Sequence, residues 1–158
     1  MLAGMRVPEG RAAMPWTEAA MSSRLEVVYR ELKREHGRVM ELVDRLRALE
    51  SDAELPAMLD RLRTLLVVHF AREQLPDGLY DALGERARDK DEDIRVLTGD
   101  HASILSTLNT LIEDAESPDA GGAADLLGRA HRLAEQVLDH EMREHRFAAE
   151  LLDVEPST

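Results

Sequence analysis

Four of the six histidines fall on the apolar faces of amphipathic stretches, and two of these four open the same His-x-x-x-Glu step. They are His36, His69 with Glu73, His101, and His140 with Glu144. A buried imidazole is costly unless something occupies its nitrogens, and a buried carboxylate without a partner costs more. Six such groups directed at one core therefore call for a cation. Residues four apart on a helix share a face, so His69 and Glu73 reach the same small volume, as do His140 and Glu144. A shell of imidazole and carboxylate suits iron, manganese or zinc, with iron favoured where redox chemistry or dioxygen is involved.

The elements that must carry these groups read as helices. The first is expected to begin at Ser23, which pairs with Glu26 as a capping box, and its stripe runs Leu25, Val28, Leu32, Val39, Val43, Leu46 with His36 inside it. Ser51 and Glu54 repeat the capping pattern, and Pro56 is tolerable only in a first turn. The second stripe is Leu59, Leu62, Leu66, His69, Glu73, closed by Pro76-Asp77-Gly78, with a short helical extension over residues 79–88. A third helix starts near Asp91 and presents Ile94, Leu97, His101, Ile104, Leu108, Leu111. The fourth carries Leu126, Ala130, Leu133, Val137, His140, Glu144, Ala148 and Leu151. Four helices with short links predict an all-α, antiparallel up-down four-helix bundle. The expected organisation is an N-terminal arm over 1–22, the bundle over 23–153 and a tail over 154–158.

Composition narrows the function. With 33% charged and 3% aromatic residues, the core of this 158-residue chain must be aliphatic. A formal charge of −12 argues against nucleic acid as a partner and against an anionic membrane surface. The absence of cysteine excludes disulfides, thiolate ligation and thiol nucleophiles. No secretory signal or membrane-length apolar run is visible, so a cytoplasmic location is expected. The composition is compatible with a homo-oligomer.

The chain also repeats itself. Glu35-His36 with Val39, Met40, Val43 and Leu46 aligns with Asp100-His101 followed by Ile104, Leu105, Leu108 and Leu111. Residues 61–74 align with 132–145, matching Arg, Leu, His, Arg and Glu in step. Each half is a helix with one core His followed by a helix with His-x-x-x-Glu, a pseudo-twofold arrangement that brings two ligand sets together. Two metals sharing one site follow. Two six-coordinate irons offer about twelve positions; four imidazoles, two bridging carboxylates and a shared oxygen leave roughly two open. Open positions are what a ligand-binding or reactive centre requires.

The order His36, His69-Phe-Ala-Arg-Glu73, His101, His140-Glu-Met-Arg-Glu144 resembles the hemerythrin-like (HHE cation-binding) family over roughly residues 24–152. The resemblance implies a four-helix bundle holding a non-haem di-iron centre, oxo- or hydroxo-bridged, that binds dioxygen or related small oxidants. Two departures stand out. Where the oxygen carriers of the family have a second His after the third-helix His, this chain has Leu105; where they have an Asp five residues after the last His, it has His145. Glu144 can take the bridging role instead, as in the wider bacterial branch. The missing fifth imidazole argues against reversible oxygen transport and for reaction with an oxidant.

Each residue also has a plainer reading. His145 either ligates from the family's Asp slot or points to solvent. His131 lies off the stripe and reads as a surface residue. Glu35, Asp100 and Asp139 precede site histidines and either orient them or are solvated charges. Tyr29 is on the His36 stripe, redox-active or simply packed. HEMREH at 140–145 is not a zinc-protease motif, and no histidine has the Glu-x-x-His spacing of ferritin-type bundles. The expected function is binding of dioxygen, peroxide or nitric oxide in sensing, scavenging or detoxification, with reduction of the ligand and peroxidase- or oxidase-type turnover left open. The alternatives are an iron-sensing or iron-handling module, zinc or manganese in place of iron, and a metal-free helical interaction protein.

Overall fold

The computed structural model describes residues 18–117 and 125–152. Its long helices are α1 (Glu18–Arg47), α2 (Leu55–Gln74), α4 (Asp91–Glu116) and α5 (Leu126–Leu152), and a short α3 (Leu79–Leu83) runs into a 3-10 turn at Gly84–Ala87. The long helices pack in a ring, α1 on α2, α2 on α4, α4 on α5 and α5 on α1. Their directions follow from the side chains that meet. Arg24 pairs with Asp77 and Glu35 with Arg72; Arg47 pairs with Glu135 and His36 with Glu141; Asp114 pairs with Arg129 and Asp100 with Arg143. In each series one number rises as the other falls, so these neighbours are antiparallel. The chain is the all-α four-helix bundle that the periodicity predicts.

Helix starts differ from the capping signals. α1 is already helical at Glu18, the first described residue and five before Ser23, so Ser23 lies inside the helix, where backbone N–H groups are already committed to the ladder. Glu18, Ala19, Ala20 and Met21 are strong helix formers and sustain the helix ahead of Ser23. Of the arm expected over 1–22, residues 1–17 lie outside the described residues, as does the tail over 154–158. At α2 the cap residue is Glu54 and makes no side-chain capping bond, so the Ser51–Glu54 box does not form. Pro56 fixes that start, since it is accommodated only in the first turn. α4 begins at Asp91, where Asp91, Glu92 and Asp93 favour the positive end of the helix dipole.

The interior has two apolar layers. The larger is built from Val39 to Leu46, Leu55 to Phe70, Ile104 to Ile112 and Leu126 to Val137. The smaller, at the other end, joins Leu25, Leu32, Leu79, Tyr80, Leu97 and Phe147. Burying each large aliphatic side chain contributes about 1.5–3 kcal/mol, enough for the larger layer to hold the fold around a polar stratum. That stratum lies between the layers. Its buried polar residues are His69, Glu73, His101, His140, Glu141 and Glu144.

α3 closes the smaller layer through a tight reversal. At Gly78 a side-chain Cβ would stand 2.2 Å from the carbonyl oxygen of Arg72, inside van der Waals contact with backbone that cannot yield. The preceding Asp77 has φ of 70°, left-handed as a turn of Asp-Gly type permits. At the opposite end His131 donates to the carbonyl of Leu49 and ties α5 to the α1–α2 link, a role beyond that of a surface residue. Among the described residues no helix is long and apolar enough to cross a membrane.

Candidate metal centre

α2 and α5 each deliver a His and a Glu one turn apart, and α1 and α4 each deliver one His. Glu73 stands at the middle. Its Oε1 is 2.8 Å from His69 Nε2 and its Oε2 is 3.1 Å from His101 Nε2. One carboxylate thus faces an imidazole from each half of the repeat.

On one side, Glu73, His101, His140 and Glu144 bring donor atoms within 4.8 Å of one another, all buried. His101 Nε2 and His140 Nε2 are 3.0 Å apart, and Glu144 Oε2 is 3.9 Å from each. On the other side, Glu141 receives His36 Nδ1–H at 2.7 Å and stands 3.1 Å from His69 Nε2. His145 does not join either set. Its ring lies 6.3 Å from that of His36, at the mouth of a cavity.

The donor set fits a metal better than it fits itself. His101 donates Nδ1–H to Gln74 Oε1 at 3.0 Å, and His140 turns Nδ1 toward Asp100 at 3.5 Å. Both tautomers then direct an Nε2 lone pair inward, at each other and, from His101, at Glu73. Neither oxygen of Glu73 has a hydrogen-bond partner, although both are fully enclosed. Converging acceptors of this kind need a cation between them. The spacing agrees: two donors about 2.1 Å from one ion and at right angles lie about 3 Å apart.

Titration behaviour shows how protons substitute. Burial disfavours a charge on His69, but the Glu141 and Glu73 carboxylates outweigh it and raise its pKa to about 11. Burial also opposes the charge on Glu141, yet His36 and His69 bring it down to about 2. Glu73 is likewise held low against burial by His101 and His69. Glu144 goes the other way, raised well above 4.5 by burial and then by the charges of Glu73 and Glu141. His140 is lowered by burial and by His101.

Outer partners orient the inner ones. Tyr80, delivered by α3, donates its hydroxyl to Glu144 Oε2 at 2.7 Å. Arg72 holds Glu35 at 2.6 Å beside His69 Nδ1, and Arg143 holds Asp100 at 2.9 Å beside His140. Asp139 is instead exposed and pairs along its own helix with Arg143. Phe70 stacks on His101 with ring centroids 4.0 Å apart, sealing that side.

The other side is open. A cavity of about 460 Å³ between α1 and α5 reaches His36, His69, Glu141 and Glu144, and Tyr29 forms part of its wall. His101, His140 and Glu73 do not line it. His36 keeps 34% of its side chain exposed, whereas His69, His101 and His140 are buried.

Two residues in this geometry escape a reading of the His-x-x-x-Glu steps alone. Glu141 is hidden within HEMREH, and its signal is the repeat: it aligns with Phe70, as His36 aligns with His101. Where Phe70 packs on His101, Glu141 bonds to His36. Tyr80 has no counterpart in the repeat and no spacing signal, because α3 is an insertion between the halves. No curated protein and no solved structure shows significant similarity to the chain. The family described as the hemerythrin HHE cation binding domain matches residues 27–151, which take in most of α1 and α5, all of α2 and α4, and every residue of the site. The chain belongs to the hemerythrin HHE cation-binding family.

Proposed function

We propose that this chain is a non-haem di-iron protein that binds dioxygen, peroxide or nitric oxide in sensing, scavenging or detoxification. The ligands would be His36, His69 and Glu141 in one half and His101 and His140 in the other, with Glu73 and Glu144 between them. The observation that carries this reading is Glu73, whose two bare oxygens face imidazoles of opposite halves. An iron pair held there would supply electrons to a bound oxidant, the chemistry imidazole and carboxylate donors favour.

The chain's own residues do the rest. Gln74 and Asp100 fix the tautomers of His101 and His140, and Tyr80 holds Glu144 in place. Phe70 excludes water from the His101 side, so a ligand approaches through the cavity on the His36 side. With Leu105 packed against the larger core and His145 at the cavity mouth, the donor set differs from that of the oxygen carriers. Reaction is therefore favoured over reversible storage, and the proposed setting is the cytoplasm, where reductants regenerate the ferrous form.

Metal analysis combined with spectra of the oxidised and reduced protein tests this. About two irons per chain and ferric charge-transfer bands are expected, with less than one iron in Glu73→Ala. Two irons retained in Glu73→Ala or His69→Ala would contradict the ligand assignment. A second reading, an iron-sensing or iron-handling module, is favoured by the burial of so many titratable groups, which couples occupancy to folding. It predicts a large stability loss on chelation without oxidation of the reduced protein by peroxide.

A further inference from the structure

The cavity beside His36 is much larger than a diatomic ligand or peroxide needs. At about 460 Å³ it falls in the range of sites for small organic molecules, whereas one water occupies about 30 Å³. Its walls are apolar, from Leu32, Met40, Leu79, Leu138 and Ala148. Its rim is cationic: Lys33 from α1 and Arg146 from α5 both line it, both are exposed, and neither lies within salt-bridge distance of a carboxylate among the described residues. The carboxylates that line it, Glu141 and Glu144, are buried at its floor and engaged by His36 and Tyr80. Among the described residues no exposed acidic side chain lines it, on a protein of formal charge −12. Met142, 55% exposed, extends the apolar wall toward the rim.

We propose that this cavity binds a small organic anion, a carboxylate with an apolar body. The carboxylate would meet Lys33 and Arg146 at the rim, and the body would lie along Leu32, Met40 and Leu79 toward His36. A local cationic rim on an otherwise acidic surface attracts anions to this one place. The apolar walls select against inorganic anions, which would have to desolvate without partners. The inference goes beyond the proposed oxidant chemistry, since recognition at the rim needs no particular metal.

Benzoate and its neutral isostere benzamide are suitable probes, titrated into the full-length, zinc-loaded protein while the methionine methyl resonances are followed. The methyls of Met40 and Met142 should shift, with benzoate bound about tenfold more tightly than benzamide, the combined effect of two partly screened ion pairs. Lys33→Glu combined with Arg146→Glu should abolish that preference and leave the zinc content unchanged. Equal affinity for both probes, or shifts confined to other methionines, would overturn the proposal. So would a benzoate preference that survives the double substitution, which would place the carboxylate on the zinc instead. Benzoate preference in samples that hold no zinc would support this site while sinking the metal reading.

Discussion

Replacing Glu144 with Gln is expected to stabilise the metal-free protein at neutral pH while weakening its hold on metal. Glu144 is 7% exposed, accepts a hydrogen bond from Tyr80, and has no imidazole nitrogen closer than 3.9 Å. Burial raises its pKa well above 4.5, and the charges of Glu73 and Glu141 push the same way. A carboxyl with a raised folded pKa carries no penalty below its unfolded value, and stability is lost as pH rises above it. Each pH unit above 4.5 at which the folded form stays protonated costs about 1.4 kcal/mol, so the limit at pH 7 is about 3 kcal/mol. Gln mimics the neutral form at every pH and keeps an acceptor for Tyr80. Urea unfolding in chelator at pH 5, 6, 7 and 8 should therefore show the variant gaining on the wild type by up to about 3 kcal/mol at pH 7. The advantage should shrink toward zero as pH falls to 4.5. Metal titration should show affinity reduced at least about tenfold, because an amide supplies no negative charge to the cation. A stability difference independent of pH would mean that Glu144 is ionised in the folded metal-free state, and the reasoning fails. Undiminished metal affinity would remove Glu144 from the ligand set.

Three further outcomes follow from the same geometry. At pH 7 His69, with its pKa of about 11, holds a proton that metal must displace, so loading the site should release at least about one proton per chain, and the upward shift of Glu144 acts in the same direction; calorimetry in buffers of different ionisation enthalpy measures this, and no release would contradict the assignment. Glu141, held down to about 2, contributes stability that is present above pH 4.5 and lost as pH falls toward 2; the deficit of Glu141→Gln in metal-free urea unfolding should narrow over that window, and the variant should bind one metal fewer. Gly78→Ala forces a Cβ onto the Arg72 carbonyl and should destabilise by about 3 kcal/mol, read by thermal unfolding, with Tyr80 displaced from Glu144; a variant as stable as the wild type would show that the turn has room to move.

The bundle and most of its site were legible because both are periodic. The stripes through His36, His69, His101 and His140 carry the same spacing as the leucines that bury them, so one pattern reports the helix and what it presents. Capping signals misled at Ser23 and Ser51, since a box is a local preference that helix-forming Glu18 to Met21 and Pro56 override. Tyr80 was not legible, because its position depends on a reversal at Gly78 that only the folded chain reveals. His145 shows another limit: which way a side chain one residue past Glu144 points is decided by the partner helix. Here α1 leaves it beside His36 at the cavity mouth.

The repeat explains why the two halves are not equivalent. Aligning residues 61–74 with 132–145 sets Phe70 against Glu141 and Gln74 against His145. The symmetric parts of the scaffold survive: Glu35 with Arg72 flanks His69, and Asp100 with Arg143 flanks His140. The two divergent positions fall where access is decided. Phe70 and Gln74 occupy the face of His101, one stacking on its ring and the other taking its Nδ1 proton, so that half is dry and its tautomer fixed. Glu141 and His145 stand at the equivalent places beside His36, adding a negative donor and leaving the imidazole one-third exposed. A closed half and an open half built on one symmetric frame suit chemistry in which one ion is anchored while its neighbour meets the ligand. Glu141→Phe would test that division by copying the closed half onto the open one, and should shut out the ligand while sparing the His101 and His140 side.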